Sequence, residues 1–356
     1  FVPTPGLRLS FERSFPNSIS GRYRLGALGR GWSHNWEERM TKDAFGDAII
    51  IGPGGSRRSF KPDVRGGYLP DIGDSARLVA LPGGFYSLRE KSGLVKQFRS
   101  DGKLDFAADP NGNRVTCGYV GDFLVSLTHS SGQRLDLGYG GAGRITSITD
   151  SVGRTTLLTY DASGEHLAAV TYHDGRVFRY QYAAAQGLQR EHALTQVEYP
   201  DLSQQRFTYD ARGRLESMSR NCCGGELVSY AYDGAGTVFA TDALNHTTKF
   251  FFDHRGLLVQ LENPLGETVK LRYNDSFNLA AVTDPAGRAY EYAYDRQGNL
   301  TEIVNPLGYR TKFAYEPQFS RLSQLTDANG NTTRYSYDER GNLAAITYAN
   351  ARAENW

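Results

Sequence analysis

Residues 284–308 read Asp284-Pro-Ala-Gly-Arg-Ala-Tyr-Glu-Tyr-Ala-Tyr-Asp-Arg-Gln-Gly-Asn-Leu-Thr-Glu-Ile-Val-Asn-Pro-Leu-Gly308, turns alternating with short strand-like runs. Asp284, Pro285 and Gly287 occupy the first, second and fourth positions of a type I turn, where each residue type is favoured. Asp295-Arg-Gln-Gly298 repeats that logic without proline. Between the turns, Tyr290, Tyr292 and Tyr294 fall on one face of a strand and Ala289, Glu291 and Ala293 on the other. This period-two alternation is that of a half-buried antiparallel strand. In the return run, Leu300 and Ile303 stand three apart, and a flat strand would put them on opposite faces. A bulge or bend just after the turn reconciles them. The unit is therefore strand–turn–strand–turn.

Working outward, the unit recurs. Asp242, Asn263, Asp284, Asn305 and Asp327 open equivalent turns spaced 21, 21, 21 and 22 residues apart. About ten residues after each comes Phe252, Tyr273, Tyr294, Tyr315 or Tyr337, and then a Leu-x-x-apolar step. Earlier copies centre on Tyr232, Tyr209, Tyr182, Tyr160, Tyr139 and, more weakly, Tyr119, which makes eleven from about Asp109 to about Thr347. The Tyr-Asp pairs Tyr160-Asp161, Tyr209-Asp210, Tyr232-Asp233, Tyr294-Asp295 and Tyr337-Asp338 mark strand end and turn start, with Gly287, Gly298 and Gly341 closing turns. Twenty-two consecutive strands at about 4.8 Å separation make a ribbon roughly 100 Å wide. Such a sheet twists and curls. The expected fold is all-β: an antiparallel repeat sheet spiralling into the wall of a shell or solenoid, its Tyr/Phe/Leu face inward. Residues 1–83 form a non-repetitive, β-rich leading region, and 84–356 the spiral, with degenerate hairpins from Gly84. An inserted loop is expected within Gln181–Leu194, and Asn221-Cys-Cys-Gly-Gly225 is a second irregular connection.

Composition narrows the function. The 356 residues carry 40 Lys+Arg against 39 Asp+Glu, a net charge of +1. That balance supplies no strong field for nucleic acid or an anionic membrane. Aromatic residues at 12% are too many for a disordered chain. No apolar run approaches the ~18 residues of a spanning helix. Cys117, Cys222 and Cys223 cannot form a disulfide framework, and the adjacent pair reads as two small buried thiols in preference to a vicinal disulfide or metal pair. A chain beginning at Phe1 without a signal peptide reads as a fragment or processed product.

Candidate sites are few. Trp32, His34 and Trp36 alternate, which offers a ligand-stacking face; a Trp-rich plug packed on the first coil, with Arg30 nearby, is the favoured reading. The remaining histidines lack metal-ligand spacing, and no nucleophile or phosphate-loop motif occurs. One aspartate per turn does not make a calcium cage; its expected work is accepting backbone N–H bonds within the turn. No catalytic, cofactor or metal residue is assigned, and the chain is not read as an enzyme.

The repeat, with clear instances at Gly308–Tyr315, from Tyr294-Asp295 to Asn305-Pro306 and from Tyr337-Asp338 to Thr347, is similar to the YD repeat of Rhs proteins, teneurins and insecticidal toxin-complex shells. Leu9-Ser-Phe-Glu-Arg-Ser-Phe15 and Gly29-Arg-Gly-Trp-Ser-His-Asn-Trp36 resemble the domain that precedes the repeats in bacterial Rhs proteins. The resemblance implies an exported β-shell, secreted or at the cell surface, that encloses or delivers a C-terminal toxin by type VI secretion or another route. The implied partners are further YD repeats and the toxin cargo, with a secretion-apparatus protein or a carbohydrate as additional candidates. The competing function is a secreted or cell-surface module that binds carbohydrate or a neighbouring cell. Eleven repeats are fewer than such a shell needs to close, and no self-cleavage region or toxin follows, so the chain resembles the opening third or so of a shell. Asp284-Pro-Ala-Gly-Arg288 is similar to the self-cleavage motif but sits in an ordinary repeat turn. Residues Tyr348–Trp356 are expected to leave an unpaired edge strand.

Overall fold

The computed structural model describes residues 3–16, 18–221 and 226–356, so the reading of Cys222 and Cys223 lies outside the described residues. Twenty-seven antiparallel strands, from Arg77–Ala80 to Ala353–Asn355, form one sheet in which each strand pairs with its neighbours in the chain. Arg77–Ala80 pairs with Tyr86–Arg89 and Ala353–Asn355 with Leu343–Thr347, and no ladder joins these two ends. The sheet is open, as the spiral reading requires, and is not a barrel. The edge strand Ala353–Asn355 is thus paired on one side, and the Trp356 N–H donates to Ala344 O at 3.0 Å.

The turns are tighter than a bare type I turn. In Asp284–Arg288, Gly287 N–H donates to Asp284 O at 2.9 Å, while Asp284 N–H donates to Arg288 O at 2.9 Å. This is a three-residue hairpin loop, a type I turn followed by a left-handed residue. Gly287 takes that position at φ +79°, as do Gly298 at +72° and Gly341 at +80°. The aspartate locks the loop from within: Asp284 Oδ1 accepts the N–H groups of Ala286 and Arg288 at 3.0 and 2.9 Å. Asp210, Asp233, Asp295 and Asp338 accept the equivalent pairs.

A bulge follows the turn. Ala293 pairs with Glu302 but Tyr294 with Leu300, which leaves Thr301 without a partner and turns Leu300 and Ile303 toward the same face. The same register shift recurs at Tyr160, Tyr182, Tyr209, Tyr273, Tyr315 and Tyr337. Past the bulge the backbone ladder to the next hairpin runs out: Leu279–Thr283 and Ala289–Tyr294 pair only as far as Ala281 with Glu291. The Leu279 carbonyl, two residues further on, instead accepts the Tyr294 hydroxyl at 2.9 Å. A partly buried carbonyl needs such a partner. Tyr160, Tyr182, Tyr209, Tyr273, Tyr315 and Tyr337 do the same for Ile145, Leu167, Leu194, Leu258, Leu300 and Leu322 at 2.7–3.1 Å. One copy departs from this. Tyr232 pairs with Val238 in unbroken register, so this hairpin has no bulge. The next aromatic, only twenty residues on, is Phe252, which has no hydroxyl to offer.

The sheet winds back upon itself. Asn111 and Asn342 exchange side-chain hydrogen bonds at 3.0 and 2.8 Å, although twenty-one strand positions separate their turns. Laid flat, those turns would stand roughly 100 Å apart. The turns belong to opposite edges of the sheet, so one winding rides on the rim of the last. Phe319 supplies an apolar contact at this seam. It is buried, and a β-carbon at Gly93 or Gly341 would come within 2.5 or 2.8 Å of its ring.

Tyr294→Phe is expected to lower stability by about 1 kcal/mol, the worth of one such hydrogen bond. Phe252→Tyr should leave it unchanged, and midpoints of chemical denaturation distinguish the two. Phe319→Ala should cost about 3–5 kcal/mol and make the turns at residues 90–94 and 338–342 newly sensitive to limited proteolysis.

Candidate functional site

The leading region builds a plug against the Tyr/Leu face of the sheet. Its four-stranded sheet (Arg39–Lys42, Ala48–Ile51, Arg57–Pro62 and Tyr68–Pro70), the small hairpin Leu25–Gly26/Gly29–Arg30 and the ladder of Arg13–Ser14 with Ser33–His34 frame it. Backbone bonds tie it to the turns of the wall: Met40 N–H to Gly102 O at 2.7 Å, Arg30 N–H to Glu165 O at 2.7 Å, and Ile145 N–H to Ala27 O at 2.9 Å. Gly29 and Gly102 stand where a β-carbon would strike the backbone carbonyls of Glu165 and Met40, so both contacts require glycine.

Trp32, His34 and Trp36 are all buried, at 6%, 4% and 7% exposure. Their side chains take different partners. Trp32 packs edge-on against Phe15 and Tyr180, and its Nε1–H donates to the Tyr182 hydroxyl at 2.7 Å. That hydroxyl in turn donates to Leu167 O, so the plug engages the same tyrosine bond that joins the hairpins. Trp36 Nε1–H donates to Ser10 O at 2.6 Å, and His34 stacks on Phe11 at 4.8 Å. Burial, and then the Arg24 charge, push the His34 imidazole down to about 4, so it is neutral at pH 7.

Sequence reasoning missed the cationic clamps of the plug. The Arg13 guanidinium donates to the hydroxyls of Tyr180 and Tyr172, at 2.9 and 3.3 Å. Arg22 lies 4.4 Å from the centre of the Tyr209 ring. Arg30 bridges Glu165 and also donates to Tyr23 O at 2.9 Å. The long spacing between Tyr182 and Tyr209 signalled an insertion, and residues 183–193 of that loop receive the short helix Ile19–Tyr23, with the Tyr23 hydroxyl on Leu188 O. Under it, Asp161, His166 and His192 form a chain with links of 2.9 and 2.8 Å. Desolvation works upward on Asp161, but bonds from Ser163 and His166 outweigh it and hold the carboxyl at about 2. Burial, then the charges of Arg30 and His166, lower the His192 imidazole.

The repeat residues are placed on the wall, Tyr273, Tyr294, Tyr315 and Tyr337 half-buried and their turn partners at its edges. At Asp284 the backbone N–H of Arg288 is the chief cause holding the carboxyl below its ordinary range, and the Arg288 side chain adds a contact of 2.7 Å. Cys117 is buried; desolvation and then the Asp105 charge push its thiol up to about 12, which leaves it protonated and unreactive at neutral pH. Among the described residues no three His, Cys, Asp or Glu side chains converge as a metal site. No helix among them is long and apolar enough to cross a membrane.

A family model described as Teneurin YD-shell matches residues 219–354, and one described as a domain of unknown function, DUF6531, matches residues 1–60. The probable deoxyribonuclease RhsB of Dickeya dadantii (strain 3937) is 27% identical over 298 residues, 77% of this chain. Both matches point one way: the chain is similar to Rhs/YD-repeat proteins. It spans 19% of the length of RhsB. Among solved structures, TcdB2-TccC3 without its hypervariable C-terminal region is similar over 89% of this chain and 20% of that one, at 13% identity and a TM-score of 0.44. TcdB2-TccC3-Cdc42 is similar over 89% and 20%, at 12% identity and a TM-score of 0.44.

The plug should release in acid. His34 and His192 are held below the ordinary 6.5 of histidine. As pH falls from about 6.5 to about 4 the unfolded chain therefore takes up protons that the folded chain refuses, and stability present above that window is lost within it. His34 alone accounts for up to about 3 kcal/mol. Asp161 and the turn aspartates add a second loss below about 4. Melting temperatures measured between pH 7 and 4 should fall, and His34→Asn should flatten that fall.

Proposed function

We propose that this chain is a section of shell wall that encloses, or helps to deliver, a toxic effector carried elsewhere in the same protein. The observation that carries the reading is the continuity of one apolar face. From Leu78 to Tyr209 that face is covered by the plug. Beyond it the cross-strand pairs Leu261–Val269, Leu271–Val282, Tyr292–Ile303, Phe313–Leu325 and Tyr335–Ile346 extend the same face, half-buried, with no plug residue over it among the described residues. A wall whose work is to exclude solvent and proteases needs this continuity and needs no catalytic group. The sealed rim supports the same role, since Phe319 and the Asn111–Asn342 pair close the gap between windings. The length of RhsB, of which this chain spans a fifth, fits an effector lying outside the wall. The protein is proposed to be exported, with the remaining repeats and the effector as its partners. Carbohydrate or cell binding through the tryptophans is less well supported, because both rings are buried.

The test is protease protection in the full-length protein. The effector region should resist digestion while the shell is intact, and become digestible when Phe319→Ala opens the seam. Digestion of the effector at the rate of the isolated effector would overturn the proposal.

A further inference from the structure

A cavity of about 560 Å³ lies between the plug and the first strands of the wall. Trp36, Tyr119, Phe123 and Tyr139 supply aromatic lining. Asp122, whose side chain is 95% exposed, stands at its mouth. Most charges here are spent on one another: Arg24 on Glu37 at 3.0 Å, and Lys103 on Asp122 at 2.8 Å. Three are not. His34 Nδ1, Glu38 Oε2 and Arg144 Nε are buried side-chain atoms with no hydrogen-bond partner among the described residues, and all three belong to residues lining this one cavity. Leaving such atoms unsatisfied costs about 1–3 kcal/mol each, more for charged groups. Three such atoms on residues that line one cavity favour a binding site over a packing defect.

The open valences define a ligand class. Arg144 makes no ion pair among the described residues, so the cavity holds a cation that calls for an anion. Glu38 already has Lys96 on its other oxygen at 2.7 Å, so Oε2 calls for a donor and not for a second full cation. The neutral His34 imidazole can donate or accept at Nδ1. The walls call for an apolar, preferably aromatic, body. A neutral sugar would satisfy the hydrogen bonds but leave the Arg144 charge uncompensated. We propose that this cavity binds a peptide C-terminus ending in a large apolar residue, its carboxylate on Arg144 and its N–H groups available to Glu38. The inference is independent of the enclosed cargo, since the cavity is formed by the plug and the first strands alone.

Titrating the 356-residue chain with N-acetylglycyl-phenylalanine, its C-terminal amide and glucose, read by tryptophan fluorescence and calorimetry, tests it. The free acid should bind saturably at about 1 mM or tighter, and the amide at least about tenfold more weakly. Arg144→Met should abolish the difference between acid and amide, while Arg144→Lys should keep part of it. Should Arg144→Met fail to fold, the comparison of acid with amide on the unaltered chain decides alone. Equal binding of acid and amide, glucose binding as tight as the dipeptide, or no saturable signal up to about 10 mM would each overturn the proposal.

Discussion

The hydrogen bond from the repeat tyrosines, Tyr139 to Tyr337, to the carbonyl just past the preceding bulge is the interaction on which the wall depends. Within a hairpin, the turn aspartate and the left-handed glycine settle the geometry locally. Between hairpins the ladder is short, and the bulge that turns Leu300 and Ile303 to one face also leaves the carbonyl of that leucine beyond its reach. The Tyr315 hydroxyl supplies the missing partner. Bulge and tyrosine therefore belong together. The copy at Tyr232 shows this by exception: its hairpin lacks the bulge, the spacing to the next aromatic is one residue short, and that aromatic is Phe252.

The same bond connects the wall to its plug. Tyr182 donates to Leu167 O and accepts from Trp32 Nε1, so a hydroxyl whose first role is to join hairpins also seats the leading region. Arg13 uses the hydroxyls of Tyr172 and Tyr180 in a similar way, and Arg22 uses the ring of Tyr209. A repeat face rich in tyrosine can bind a plug through polar atoms while remaining apolar overall. A face of leucine and valine could only have packed.

Much of this was legible beforehand because the determinants are local. A Gly at the left-handed position, an Asp four residues before a backbone N–H and a period-two run of tyrosines each act within a few residues, and the twenty-one-residue recurrence repeats the signal. The Leu-x-x-Ile step even implied a bulge. The candidate cavity was not legible. His34 was visible as one member of an alternating triad, but its grouping with Glu38 and Arg144 joins residues more than a hundred positions apart. Nor do Trp32, His34 and Trp36 share one surface, since short strands and loops separate their directions.

By itself, then, the sequence determined the unit: its turns, its strand faces, its bulge and the need of so many strands to coil. Those follow from backbone sterics and side-chain alternation, which operate over a handful of residues. Only the tertiary structure decided how tightly the coil winds, which turns meet at the seam, and where the plug sits. The Asn111–Asn342 contact depends on a small twist summed over twenty-one strands, and no local pattern encodes a sum of that kind.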